Sequence, residues 1–175
     1  MANSAARQPP RKIRPYAEPD AEPLAVLFRR SIEDIGSRDY SAPQVAAWAS
    51  RVPSAERLHA LAADGRTRLV AVDRADRPLA FADLEADGHI DFLYAAPEAA
   101  GTGVVAALYD ELEQGARRRH IGRLYAEASE AARRFFLKQG FVVTAKREFE
   151  ISGAPIHNYA VEKDLTAAPA CEPEA

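Results

Sequence analysis

In the stretch His89-Ile90-Asp91-Phe92-Leu93-Tyr94-Ala95, an imidazole and a carboxylate stand two residues apart. On a strand, a period of two puts both on one face. Imidazole titrates near neutral pH, so His89 is a candidate general base, and Asp91 is a second proton acceptor or a partnered carboxylate. The plainer alternatives are a surface histidine beside the Asp87-Gly88 turn and a structural hydrogen-bond acceptor. Just downstream, residues 97–108 read PEAAGTGVVAAL. Gly101 and Gly103 precede an apolar run that has the look of a helix start. Glycines at such a place let backbone N–H groups converge on an anion, where the helix dipole favours negative charge. The plainer alternative is a turn that needs permissive residues.

Positioning such groups takes a strand, a loop and a helix, and the flanking sequence supplies them. Lys12 to Tyr16 is a short strand candidate. Pro19-Asp20 opens a helix with Leu24, Leu27, Phe28, Ile32 and Ile35 at helical spacing, ended by Gly36. Ser41 and Gln44 form a capping box for a helix carrying Val45 and Trp48, and Ser54 caps a third with Leu58 and Leu61 on one face. At residue 67 the pattern turns to strands: Arg68 to Val72, Pro78 to Leu84 as its hairpin partner, and His89 to Ala95 after the Asp87-Gly88 turn. Gly103 to His120 is a helix, Arg123 to Ala128 a strand, and Ser129 caps a short helix that stops at Gly140. Phe141 to Ile151 and Ile156 to Lys163 are a closing hairpin. This order predicts an α+β domain with a mostly antiparallel sheet flanked by helices and one β-α-β crossover. The glycine loop lies inside that crossover. Residues 1–11 are expected to be a disordered lead, 12–165 the domain, and 166–175 a disordered tail.

The chain has 175 residues, 47% of them hydrophobic, enough for one packed core. A net charge of −3 gives no electrostatic reason to expect nucleic acid. The single cysteine, Cys171, excludes an intrachain disulfide and fits a reducing, cytoplasmic setting. The N-terminal residues lack the apolar core of a secretory signal, and no uncharged apolar run reaches the roughly 18 residues of a membrane helix. A soluble protein with no bound metal is expected, since no His/Cys/Asp cluster is visible along the chain.

Three phosphate loops compete for the glycines. A Walker loop ends in Gly-Lys-Ser/Thr, and no lysine stands near Gly103. Gly101-Thr102-Gly103-Val104-Val105-Ala106 satisfies the dinucleotide pattern G-x-G-x-x-G/A, with an acid, Glu127, about twenty residues on. However, Ala96 to Ala100 separate the strand from the first glycine, and the chain closes in a hairpin rather than in further β-α units. The third loop fits best. The segment HIDFLYAAPEAAGTGVVAALYDELEQGARRR resembles the coenzyme A loop of the GNAT N-acetyltransferase superfamily. Glu127-Ala128-Ser129 followed by AARRFFLKQGF looks like that family's "A…FY…GF" element. The closing hairpin through His157 to Leu165 and the Arg38-Asp39-Tyr40-Ser41 junction are similar to a bacterial subgroup with Phe in place of the usual Tyr. The resemblance spans residues 12 to 165 and rests on the order and spacing of these motifs.

That resemblance implies a GNAT-type fold and transfer of an acetyl group from acetyl-CoA to a primary amine, by direct attack in a ternary complex. It implies that residues 101 to 106 bind the pyrophosphate through backbone N–H groups. A backbone N–H of Leu93, Tyr94 or Ala95 would polarise the thioester, with Ser129 and Phe136 beside the cofactor. Glu127 would lie where two parallel central strands splay apart, making it a third candidate for the base. His89 holds the place of a glutamate base in histone-type members, and Asp83 and Glu85 are weaker candidates. Tyr40, Trp48 and Tyr159 would line the pocket for a small-molecule or peptide amine. The chain departs from the family pattern at Ala100, in place of Gln/Arg, at Val105, in place of a second Gly/Ala, and at Phe136, which has no proton for a departing thiolate. A catalytically silent acetyl-CoA-binding regulator and a dinucleotide-binding oxidoreductase are the alternatives. Whether the chain dimerises stays open.

Overall fold

The computed structural model describes residues 12–166. The expected disordered lead, and the tail beyond Thr166, lie outside the described residues. The elements follow the expected order: β1 (Lys12–Pro15), α1 (Ala21–Arg30), α2 (Ala42–Ala49), α3 (Ala55–Ala62), β2 (Thr67–Val72), β3 (Pro78–Leu84), β4 (Leu93–Ala95), α4 (Val104–Arg118), β5 (Arg123–Ala128), α5 (Glu130–Lys138), β6 (Val142–Ile151) and β7 (Ala154–Asp164). The architecture is mixed α+β, with antiparallel sheets flanked by helices. One half-sheet has the order β1-β2-β3-β4 and the other β5-β7-β6, so β4 and β5 are facing edges. The two half-sheets meet at an isolated parallel bridge between His89, upstream of β4, and Tyr125 of β5.

The core lies under α1 and α4. Leu24, Phe28, Val70, Phe81, Leu108, Leu112 and Leu124 are all at most 5% exposed. Their recurrence every three or four residues on the helices makes the apolar stripe that the sheet covers. β3 is buried along nearly its whole length, yet it carries Asp83, which is fully buried. Arg68 makes that tolerable. Its Nε and Nη2 each donate to the Asp83 carboxylate at 2.6 Å, and its Nη1 donates to the Leu58 carbonyl at 2.6 Å. Arg66 Nη1 adds a bond to Asp83 at 3.0 Å. A buried carboxylate persists when guanidinium forks satisfy its lone pairs.

The structure corrects two expectations in part. The first helix runs to Gly36 as expected, but it is not α-helical throughout. It widens after Arg30 into a π turn, Ser31–Ile35, and Gly36 has φ −62°, an ordinary right-handed value. The expected strand 89–95 is regular only over 93–95. Glu85 N–H bonds to the His89 carbonyl, whereas Asp83 N–H bonds to the Phe92 carbonyl. Two steps along β3 thus face three along the partner, which is a β-bulge at Ile90-Asp91.

Candidate active site

The bulge reverses which backbone groups face outward. Before it, Ile90 N–H reaches across to the Tyr125 carbonyl at 2.9 Å, and Tyr125 N–H to the Gly88 carbonyl at 3.1 Å. After it, Phe92 accepts from Asp83 and Ala96 N–H donates to Leu79, both toward β3. Antiparallel alternation then makes Phe81 and Tyr94 the hydrogen-bonded pair, and it turns the amides of Leu93 and Ala95 toward β5. No ladder joins β4 to β5 at that level, so the strands part and leave a gap.

A cavity of about 270 Å³ passes through the gap. On one side it is lined by Ala100, Gly101, Val105, Ser129 and Phe136. Gly101 has φ 74° and Gly103 φ 92°, conformations that side chains resist. A Cβ built at either would meet no atom within 4 Å, so backbone shape rather than crowding calls for glycine. Gly103 is the N-cap of the 15-residue α4. The first intrahelical bond is Ala107 N–H to the Gly103 carbonyl at 3.0 Å, leaving the amides of Val104, Val105 and Ala106 without intrahelical acceptors. Thr102 turns inward, its Oγ1 donating to the Ala99 carbonyl at 2.6 Å. Val104 is 1% exposed and belongs to the core, so it is Val105 that meets the cavity. Ser129 Oγ caps α5 by accepting from Ala132 N–H at 3.3 Å. Phe136, 2% exposed, packs its ring 4.7 Å from that of Phe141.

The opposite wall holds Ile32, Ile35, Gly36, Tyr40, Val45 and Trp48. Tyr40 is 6% exposed, stands edge-on to Trp48 at 5.1 Å, and donates to the His157 carbonyl at 3.2 Å. Burial pushes its pKa up to about 12, against the lowering effect of the hydrogen bond that its oxygen accepts from Glu130 N–H. Tyr159 stands outside this lining, its hydroxyl donating to Glu130 Oε1 at 2.6 Å. The π turn of α1 had no reading in the sequence. Its signal is local at most, since i to i+5 bonding leaves the apolar spacing nearly unchanged.

Asp91 and Glu127 line the cavity at the gap, and His89 does not. His89 reaches the cavity through Glu127, its Nε2 lying 2.7 Å from Glu127 Oε2, while Nδ1 lies 3.4 Å from Glu85 Oε1. Its ring is stacked on Tyr125 at 4.9 Å. Burial works to lower the His89 pKa, but the hydrogen bond and charge of Glu127, the hydrogen bond to Glu85 and the charge of Asp91 outweigh it, and the net direction is upward from 6.5. Asp91 Oδ2 accepts from Arg66 Nη1 at 2.7 Å. Asp83 is sealed under Arg68 and takes no part in the lining. Contrary to the sequence-based expectation that no His/Asp cluster exists, Glu85, His89 and Asp91 place ligand atoms within 4.8 Å of one another. Arg66 already supplies a cation there, bonded to Asp91 at 2.7 Å and 3.4 Å from Glu85.

A glycine-turned helix start beside a parted pair of parallel strands, with a cavity through the opening, is an arrangement suited to an acyltransferase. The chain belongs to the GNAT acetyltransferase family, whose acetyltransferase (GNAT) domain model matches residues 37–163. It is similar to a protein described as a GCN5-related N-acetyltransferase (aminotransferase, class-II) from Rhodopseudomonas palustris, with 35% identity and a TM-score of 0.81 over 90% of this chain and 97% of that one. It is also similar to the uncharacterized N-acetyltransferase YafP of Escherichia coli (strain K12), 29% identical over 85% of this chain and 92% of that protein. The PaiA N-acetyltransferase of Thermoplasma acidophilum, solved in complex with coenzyme A, shares the fold at a TM-score of 0.71 and 20% identity, over 88% of this chain and 98% of that one. No helix among the described residues is long and apolar enough to cross a membrane.

Proposed function

We propose that the protein transfers the acetyl group of acetyl-CoA to a primary amine by direct attack in a ternary complex. The observation that carries this reading is the cavity through the β4–β5 gap, which has free helix-start amides at one end and a carboxylate–imidazole pair at the other. Acetyl-CoA would supply an acyl group activated as a thioester. The residues fit it: the amides of residues 103 to 106 suit a pyrophosphate, and the space over Gly101 and Gly103 is open. The amides of Leu93 and Ala95, turned into the gap, are placed to donate to a carbonyl oxygen as it gains charge. Glu127 takes the proton of the incoming ammonium, and His89 Nε2, 2.7 Å from its carboxylate, is placed to receive it. Phe136 offers no hydroxyl, an observation that favours a second reading as a silent acetyl-CoA-binding regulator.

Calorimetric titration with acetyl-CoA, with NADH and ATP as controls, tests the binding. Release of free thiol with a panel of amines separates enzyme from regulator. Gly103→Val forces a branched side chain into a left-handed position at about 1–2 kcal/mol, and we expect acetyl-CoA affinity to fall about tenfold or more. Unchanged affinity in this variant would mean that the loop is not the anchor. Preferential binding of NADH would return the site to the oxidoreductase alternative.

A further inference from the structure

The acceptor half of the cavity carries a more specific reading, which rests on the acetyltransfer proposed above. Its floor is the π turn of α1. There the Gly36 N–H bonds to the Ser31 carbonyl, and Ile32, Ile35 and Gly36 all face the cavity. Its roof is Tyr40, Val45 and Trp48. Apart from the carboxylates at the gap, the charged group on this wall is Asp39, and both its oxygens are held by Arg134 at 2.9 and 2.6 Å.

Beside this wall, α2 and the closing hairpin are joined. α2 is docked on the tip of the β6–β7 hairpin. Gln44 Nε2 donates to the Pro155 carbonyl at 2.7 Å, and Tyr40 Oη donates to the His157 carbonyl. Ala47 packs with Ile151 and Ile156 in a small buried cluster, with Trp48 and Ala154 against it. A peptide threaded between α2 and the hairpin would have to part these contacts. A compact molecule would not, and a cavity of about 270 Å³ shared with the thioester end suits a compact one.

Gly36 is the informative position. Its φ of −62° suits any residue, and a Cβ built on it meets no atom within 4 Å. Neither backbone conformation nor crowding calls for glycine there, and Gly36 lines the cavity, so a side chain added at this position is expected to take up space in it.

We infer that the acceptor is a compact primary amine on an apolar or arylalkyl body, seated between the π turn and the Tyr40–Trp48 pair, and that Gly36 sets the size admitted. The test uses phenethylamine, spermidine and a short peptide with a free N-terminus as acceptors, on the wild type, Gly36→Ala and Gly36→Leu. Trp48 is the single tryptophan of the chain, so its emission reports acceptor binding apart from turnover.

The expected result is that phenethylamine shifts Trp48 emission and releases thiol in preference to the other two. Gly36→Leu should raise its KM about tenfold or more, Gly36→Ala less, and acetyl-CoA affinity should stay that of the wild type, which also reports that the variants fold. Preference for the peptide or spermidine would overturn the inference, as would a phenethylamine KM untouched by Gly36→Leu. Failure of the wild type to bind acetyl-CoA is a different result, and it would overturn the acetyltransfer reading itself.

Discussion

Glu127→Gln is expected to lower kcat/KM for the amine by about 10²- to 10⁴-fold, the usual worth of a positioned general base. It should also move the acidic limb of the pH profile. The sign follows from the pair. His89 holds its proton above its ordinary 6.5 because Glu127, Glu85 and Asp91 outweigh the effect of burial. The pair can take a proton from the ammonium only after His89 has lost its own. Activity in the wild type should therefore rise with pH through a value above 6.5, and it should be low where His89 is charged. In the Gln variant the strongest raising partner is gone. The residual activity should begin its rise at lower pH than in the wild type. His89→Gln should lose the limb while leaving acetyl-CoA affinity in place, because His89 is not among the cavity-lining residues. A Glu127→Gln profile superimposable on the wild type would remove this pair from the reaction and leave Asp91 as the carboxylate at the gap.

The second large effect is on stability. Asp83→Ala should destabilise the fold by about 3–5 kcal/mol, because it strands charge in the interior. The side chains of Arg68 and Arg66 are only 1% and 5% exposed, and both donate to Asp83. Arg66 has other carboxylates to turn to, at Asp64, Glu85 and Asp91. Among the described residues, Arg68 then keeps the Leu58 carbonyl as its remaining hydrogen-bond partner. Thermal unfolding should show a midpoint about 6–20 °C lower, at 2–4 °C per kcal/mol for a chain of this size. Because Arg66 also holds Asp91 at the gap, the variant should disturb the acceptor end even where it stays folded. A loss below about 1 kcal/mol would show that the arginines find water or new partners, contrary to the cost of an unpaired buried charge.

Much of the site was legible because its rules are local. The Gly101/Gly103 loop announced itself through residues that tolerate positive φ in front of an apolar helix, and the structure puts both glycines there. Ser54 and Ser129 were readable as caps, and each accepts from the amide three residues on. Val105 posed a question that sequence could not answer. Whether it or Val104 turns inward depends on the rotation of α4 over the sheet, and that is set by packing at Leu108 and Leu112.

By itself, then, the sequence determined the order of elements, the α+β class, the anion-binding helix start and the family motifs. Each of these follows from periodicity, capping and backbone freedom within a few residues. Only the tertiary structure decided the bulge at Ile90-Asp91, which depends on how many residues of β3 oppose it. The same holds for the pairing of His89 with Glu127 across 38 residues, the capture of Asp91 by Arg66, and the placing of Gly36 at the acceptor wall. Strand register and ion pairing join residues far apart in the chain, and no local pattern encodes which partner a buried charge will meet.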